Sequence, residues 1–235
     1  AYDVTFTGRD NTLQYPFQTS WGASTRLIGA IIMVHGDDSG LVLPPKVAPV
    51  QVMIVPIQQK KEGVLDTAYA LRDRLGAFRV KVDDSDKSPG WKFAEQEMRG
   101  IPLRVEIGPK DIEKNQCVLV RRTDREKLFV SLDNLEEAIQ EQLSIVRQQM
   151  FDKALARRES MTYEARTLDE LIDIAANKPG LIKAMWCGDE ACEQKLKDDA
   201  GVSSRCIPFE QEHLSDVCVC CGKPAKSMVY WGKAY

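Results

Sequence analysis

Ser88-Pro-Gly-Trp-Lys-Phe-Ala-Glu-Gln-Glu-Met-Arg-Gly-Ile-Pro-Leu-Arg-Val-Glu-Ile-Gly-Pro-Lys-Asp111 is the stretch on which the fold turns. Gly90 to Arg99 predicts a short helix, and Gly100 is a normal stop because glycine takes the left-handed cap without a Cβ penalty. Leu103 to Ile107 predicts a strand, and Gly108-Pro109 a turn that carries Lys110 and Asp111. Upstream, Val52-Met-Ile-Val-Pro-Ile57 reads as a buried strand. Residues 61–75 read as a helix with Leu65, Ala68, Tyr69, Leu71 and Leu75 on one side. Phe78 to Val82 alternates as a strand. Downstream, Cys117 to Val120 and Lys127 to Val130 are further strands. Alternating strands and helices predict an α/β domain with a partly parallel sheet.

A long helix is predicted from about residue 133. Leu132, Leu135, Ile139, Leu143, Val146 and Met150 recur at steps of three and four, which draws one apolar stripe. Asp133-x-x-Glu136 offers a start signal of the capping-box type. Leu168 to Ala176 predicts a second helix, ending before Lys178-Pro-Gly180. Toward the other end, Tyr2 to Thr7 and Leu13 to Gln18 flank the turn-rich Gly8-Arg-Asp-Asn11, a hairpin signal. Leu27 to Val34 is a continuous apolar run, read as a buried segment. Pro44-Pro45 and Pro49 bracket a linker.

The 235 residues are 43% hydrophobic and 29% charged, ordinary globular composition with material for a core. A net charge of −3 excludes binding nucleic acid by bulk attraction, so any RNA contact has to be local. No apolar run approaches the ~18 residues of a membrane span, and Ala1-Tyr-Asp-Val4 lacks the form of a signal peptide. The abrupt strand-like start reads as a cut from a longer chain. Six of the seven cysteines fall in the last 49 residues, and their odd number favours a reduced, cytoplasmic setting with a metal site over a disulfide framework.

Three constellations carry chemistry. In Gln18-Thr-Ser-Trp-Gly-Ala-Ser-Thr-Arg26, a glycine lets backbone approach a ligand and an arginine four residues on can clamp phosphate oxygens. The same spacing also describes a tight strand end with a surface arginine. In residues 88–111, carboxylates suit the donors of a guanine, and Arg or Lys its acceptors. The same charges also describe a solvated face. Cys187-Gly-Asp-Glu-Ala-Cys192 with Cys218-Val-Cys-Cys221-Gly222 has the form of a closed four-cysteine site of the structural zinc type. Cys220 is an alternative to Cys221, free thiols without metal are the other reading, and Cys206 and Cys117 read as buried small apolar residues.

Gln18 to Arg26, followed by Met33-Val-His-Gly-Asp-Asp-Ser-Gly-Leu-Val-Leu-Pro-Pro45, strongly resembles the third signature motif of class II prolyl-tRNA synthetases. Gly-x-Lys-Phe, Gly-x-Pro-x-Arg-x-Glu-x-Gly and Pro-Lys-Asp resemble that family's anticodon-binding domain, and the cysteine pattern resembles the C-terminal domain of its archaeal/eukaryotic-like subtype. The resemblance implies an α/β fold in three parts. Residues 1–48 would be antiparallel strands from the end of a class II catalytic domain. Residues 49–160 would be an anticodon-binding domain with a mixed five-stranded sheet flanked by helices. Residues 161–235 would be a small α+β zinc-binding domain.

The resemblance also implies roles. Trp21, Gly22, Ser24 and Arg26 would lie at ATP and prolyl-adenylate, with the glycine-containing strand under the nucleotide. Glu97, Arg104, Lys110 and Asp111 would read the anticodon, while Lys92 and Phe93 fit the motif and serve equally as structure. Cys187, Cys192, Cys218 and Cys221 would hold Zn2+, and the carboxylate of Tyr235 would reach toward the active site. The intact enzyme would be a homodimer that uses ATP and Mg2+ to ligate proline to tRNA(Pro). This chain alone, without the first two class II motifs, would bind tRNA and not aminoacylate. The rival expectation is a free-standing anticodon-domain paralogue with a regulatory role. Residues 1–48 argue against it, because such a paralogue has no use for Arg26 and its surroundings.

Overall fold

The computed structural model describes residues 3–233, and the chain divides into two units between Leu143 and Ser144. Near the start of the first unit, β1 (Phe6–Thr7) and β2 (Leu13–Gln14) form a short antiparallel hairpin. Its turn holds Asn11 at a φ of 58°, a left-handed geometry that asparagine tolerates. Residues 15–24 have no regular structure, so the glycine-containing strand expected around Gly22 does not form. A strand needs a neighbour to pair its backbone groups, and among the described residues no strand pairs with this segment. Next comes α1 (Arg26–His35). Here the expectation for Leu27 to Val34 is corrected: the run is helical and exposed, with Leu27 at 59% and Met33 at 72%. An apolar run is buried only against a facing element, and no residue of α1 is fully buried.

The remainder of the unit alternates as its periodicities dictate. It runs β3 (Val52–Pro56), α2 (Val64–Arg74), β4 (Val80–Val82), α3 (Pro89–Met98), β5 (Leu103–Ile107), α4 (Pro109–Glu113), β6 (Gln116–Arg121) and β7 (Lys127–Ser131). The sheet order is β4-β3-β5-β6-β7. The first three strands are parallel, joined by the crossover helices α2 and α3; β6 and β7 close the sheet antiparallel. Every residue of β3 and β5 is buried, as central strands covered on both faces require. Side chains alternate along a strand. Arg104 and Glu106, in register with Met53 and Val55, therefore share the face on which α3 packs Phe93. That alternation positions the charged cluster described below.

A segment before the sheet is tied to α3. Leu41 N–H donates to the Met98 carbonyl at 3.0 Å, and Leu43 N–H to that of Gly100 at 3.2 Å. Gly40 has a φ of 128°, and a Cβ there would lie 2.5 Å from the Met98 backbone. Backbone cannot yield as a flexible side chain can. Gly40→Ala is therefore expected to cost more than about 1 kcal/mol in urea unfolding, whereas Gly90→Ala, with open space around it, should leave the midpoint nearly unchanged.

The long helix α5 (Leu135–Ser160) carries the apolar stripe, with Leu135, Ile139, Leu143, Val146 and Met150 all buried. Its start is displaced from the expected capping box. Ser131 Oγ accepts from Asp133 N–H at 3.3 Å and opens a 3-10 turn over Leu132–Asn134. The Asp133 carboxylate is drawn instead to Asn115, whose Nδ2 donates to it at 2.7 Å.

The second unit adds β8 (Thr162–Glu164), α6 (Leu168–Asn177), β9 (Leu181–Trp186), α7 (Glu190–Ala200), β10 (Val202–Cys206) and β11 (Ser227–Lys233). Its sheet runs β10-β11-β9-β8 and is antiparallel except between β8 and β9. Leu171, Ile182, Leu196, Val229 and Trp231 form its core, and Trp186 meets Trp231 edge-on with centroids 6.1 Å apart. Thr167 and Glu170 make a reciprocal capping box at the start of α6. Cys117 is buried as expected, but Cys206 is exposed, because it ends β10 where that strand's burial gives out. No described helix is long and apolar enough to cross a membrane.

Candidate functional site

The four residues expected to read bases fall on α3, β5 and α4. Glu97 is in the last turn of α3 and Arg104 on β5 beneath it. Arg104 is 8% exposed, with its guanidinium 4.1 Å above the Phe93 ring. Arg104 Nε and Nη2 both donate to Glu106 Oε1, at 3.0 and 2.9 Å. Arg104 Nη1 lies 3.7 Å from Glu97 Oε1. Arg125 Nη2 meets the other Glu97 oxygen at 2.9 Å, and Lys127 Nζ lies 3.7 Å from Glu106 Oε2. Two carboxylates and three cations thus interlock. Stacked and bonded in this way, the Arg104 fork is a pre-oriented donor, which suits planar recognition.

Lys110 and Asp111 are not part of that cluster. They follow the opposite end of β5, in α4. Lys110 is exposed, and Asp111 Oδ2 accepts from Gly108 N–H at 2.9 Å, holding the turn into α4. The four residues therefore form two sub-clusters separated by a strand rising about 3.3 Å per residue. Glu106, Arg125 and Lys127 were not singled out in the sequence. For Glu106 the signal was present: it stands two residues from Arg104 on one strand and so shares its face. Arg125 and Lys127 reach the cluster only through the β6–β7 pairing. Arg122 is a further case: its guanidinium grips Asp37 at 2.8 and 2.6 Å and donates through Nε to the Glu97 carbonyl at 2.9 Å. That grip holds the Asp37 carboxyl down at about 2.

The residues of the first motif are spread along an open segment. Trp21 is 93% exposed, and no atom within 4 Å of Gly22 would oppose a Cβ. Ser24 Oγ accepts from Arg26 N–H at 3.4 Å, and Arg26 begins α1 with its side chain exposed. Tyr235 lies outside the described residues.

The cysteines converge. Sγ atoms of Cys187, Cys192, Cys218 and Cys221 all lie within 4.8 Å of one another. Cys187 directly follows β9 and is followed by Gly188 at a φ of 86°; Cys192 stands in the first turn of α7. A tight turn brings up the second pair: Cys218 N–H donates to the Lys223 carbonyl at 2.8 Å, and Gly222, at a φ of 70°, donates to the Cys218 carbonyl at 3.0 Å. Cys187 Sγ is 3.7 Å from that of Cys192 and 3.8 Å from that of Cys221. Thiolates about 2.3 Å from a tetrahedral ion have edges of about 3.8 Å, so the spacing fits one. Burial pushes the Cys187 and Cys192 thiols up, whereas the Lys223 N–H lowers exposed Cys221 to about 7. A cation among the sulfurs would favour the thiolates of Cys187 and Cys192 that burial disfavours. The cluster can therefore hold a metal ion. Cys220, half-buried, packs against it without joining the four.

Comparison with known proteins agrees with this architecture. Residues 51–142 match the family model of the anticodon binding domain, and residues 168–235 that of the prolyl-tRNA synthetase C-terminal domain. The proline--tRNA ligase of Lachnoclostridium phytofermentans is 64% identical over 235 residues, all of this chain and 49% of that protein. Those of Lachnospira eligens and Ruminiclostridium cellulolyticum are 65% and 62% identical, again over all of this chain, covering 50% and 49% of theirs. The chain spans about half the length of the curated relatives it matches. With both domain types present in order and identity sustained from end to end, this chain belongs to the prolyl-tRNA synthetase family.

Proposed function

We propose that this chain binds tRNA(Pro) through its anticodon, within a ligase that activates proline with ATP and esterifies the tRNA. The observation that carries the reading is the pre-oriented Arg104 between Glu97 and Glu106, in a domain matching an anticodon-binding family. A guanine presents donors on one edge and acceptors on another, and this cluster offers the complement of each. Lys110 and Asp111, at the far end of β5, are suited to a second base. In the ligase, Arg26 with Trp21, Gly22 and Ser24 would face ATP and the adenylate. Mg2+ and arginines would there stabilise phosphate charge while positioning does most of the work. The ion held by the four thiols is Zn2+, in a structural site closed by sulfur. Residues 1–48, 49–160 and 161–235 serve as catalytic-domain end, anticodon domain and zinc domain. The ligase works in the cytoplasm as a homodimer.

The test is binding to two tRNA(Pro) transcripts at one moderate salt concentration, one native and one with both anticodon guanines replaced. Replacement is expected to cost about 2 kcal/mol or more, at ~1–3 kcal/mol per well-read base. Equal affinity for both, falling steeply with salt, would mean backbone attraction alone and would sink the assignment of Glu97, Arg104, Lys110 and Asp111.

A further inference from the structure

The turn that leaves β3 and the loop that enters α3 enclose a pocket of about 340 Å³ outside both sub-clusters described above. Lys60 and Lys61 wall it on one side, Asp86 and Lys87 on the other, and Lys92 of α3 reaches it from within the fold. Four ammonium groups meet two carboxylates: Asp86, 3.9 Å from Lys60 Nζ, and Asp83, 3.9 Å from Lys92 Nζ. The pocket lies at the carboxyl ends of parallel strands, where open α/β sheets bind ligands.

Lys92 makes this more than a patch of surface lysines. Its side chain is 2% exposed. Nζ donates to Gln59 Oε1 at 2.8 Å and to the Asp83 carbonyl at 2.7 Å, while the Asp83 carboxylate stays 3.9 Å away. An ammonium has three N–H groups, and among the described residues the third meets no acceptor within hydrogen-bond range. Burial pulls its pKa down, a penalty that an anion in the pocket would relieve. Beside the opening, Trp91 is 46% exposed, with Lys87 Nζ 5.5 Å from its ring centre. An aromatic face next to a basic groove is the pairing that single-stranded nucleic acid uses.

We propose that this pocket binds a phosphate group, supplied by the backbone of the RNA whose bases meet Lys110 and Asp111. Its RNA source rests on the anticodon reading above. Ile57, between the lining residues Pro56 and Gln58, donates its N–H to the Ile107 carbonyl at 2.8 Å, at the end of β5 from which Gly108 turns to Lys110. A nucleotide next to the one met at Lys110 and Asp111 can therefore place its phosphate here.

The test uses the 235-residue chain and the double variant Lys60→Glu/Lys61→Glu, both positions being exposed, so that folding is not at issue. In the first arm, affinity for the native tRNA(Pro) transcript is measured from about 50 to 200 mM salt. The variant should bind roughly tenfold more weakly, with a log–log salt slope shallower by about 2. Its discrimination against the guanine-replaced transcript should be unchanged. In the second arm, inorganic phosphate should raise the melting temperature of the wild type and not of the variant. Phosphate protection with an unaltered RNA slope would keep the pocket and overturn its RNA source in favour of a free phosphate compound. A wild type that binds phosphate but no tRNA would sink the anticodon reading and leave the pocket standing. No change in either arm overturns the proposal.

Discussion

Replacing Asp37 with alanine is expected to lower the stability of the unit ending at Leu143 by about 3 kcal/mol, the lower end of the ~3–5 kcal/mol seen when a buried pair loses one partner. The Arg122 side chain is 2% exposed, and its guanidinium is held by both Asp37 oxygens and the Glu97 carbonyl. Without Asp37 that charge stays buried with one carbonyl for company. The lower end applies because Asp37 itself is 36% exposed, so water can enter and relieve part of the loss. Acid should act more gently. The Asp37 carboxyl sits at about 2, below its ordinary 3.8. A depressed carboxyl contributes stability that is fully present above 3.8 and is lost as pH falls through about 2. By linkage that is worth roughly 1–2 kcal/mol once discounted for exposure. Urea unfolding followed by hydrogen exchange in β3 and β5 measures both. A D37A midpoint matching wild type, at equal slope, would show the pair to be peripheral.

The second large effect concerns the thiols. Cys218→Ser, or removal of the ion by a chelator, should destabilise the unit beginning at Ser144 by about 4 kcal/mol, the linkage expected of a ligand present at 1,000 times its Kd. Complete unfolding is not expected, because the core around Trp231 also contains Leu171, Ile174 and Val202, from elements that carry none of the four cysteines. Elemental analysis should find one metal ion per chain in the wild type and none in C218S. Cys206→Ser, an exposed position outside the cluster, should keep both metal and melting temperature. Identical melting with and without metal would remove the ion from any structural role.

Much of this molecule was legible in its residues. The alternation from Val52 to Ser131 predicted the α/β unit, since a buried parallel strand and an amphipathic helix each write a local period. The stripe from Leu132 to Met150 did the same for α5. The pairs Cys187/Cys192 and Cys218/Cys221 were legible because a metal knuckle is a local turn. Where local signals competed, tertiary context won: Asp133 bonds Asn115, and Ser131 starts the helix instead. Leu27 to Val34 looked like core because apolarity is local, whereas burial requires a facing surface, and no residue of α1 is fully buried.

The sequence by itself thus determined most of the strands and helices from Val52 to Met150, which sulfurs stand ready for an ion, and which family the chain resembles. Only the tertiary structure decided that Arg104 is stacked on Phe93 and clasped by Glu106, that Arg125 reaches Glu97, and that Arg122 closes on Asp37 from 85 residues away. The physical reason is range. Backbone periodicity arises between residues three or four apart. A contact across a sheet depends on strand order, register and the face each side chain takes, which exist only once the chain has closed on itself.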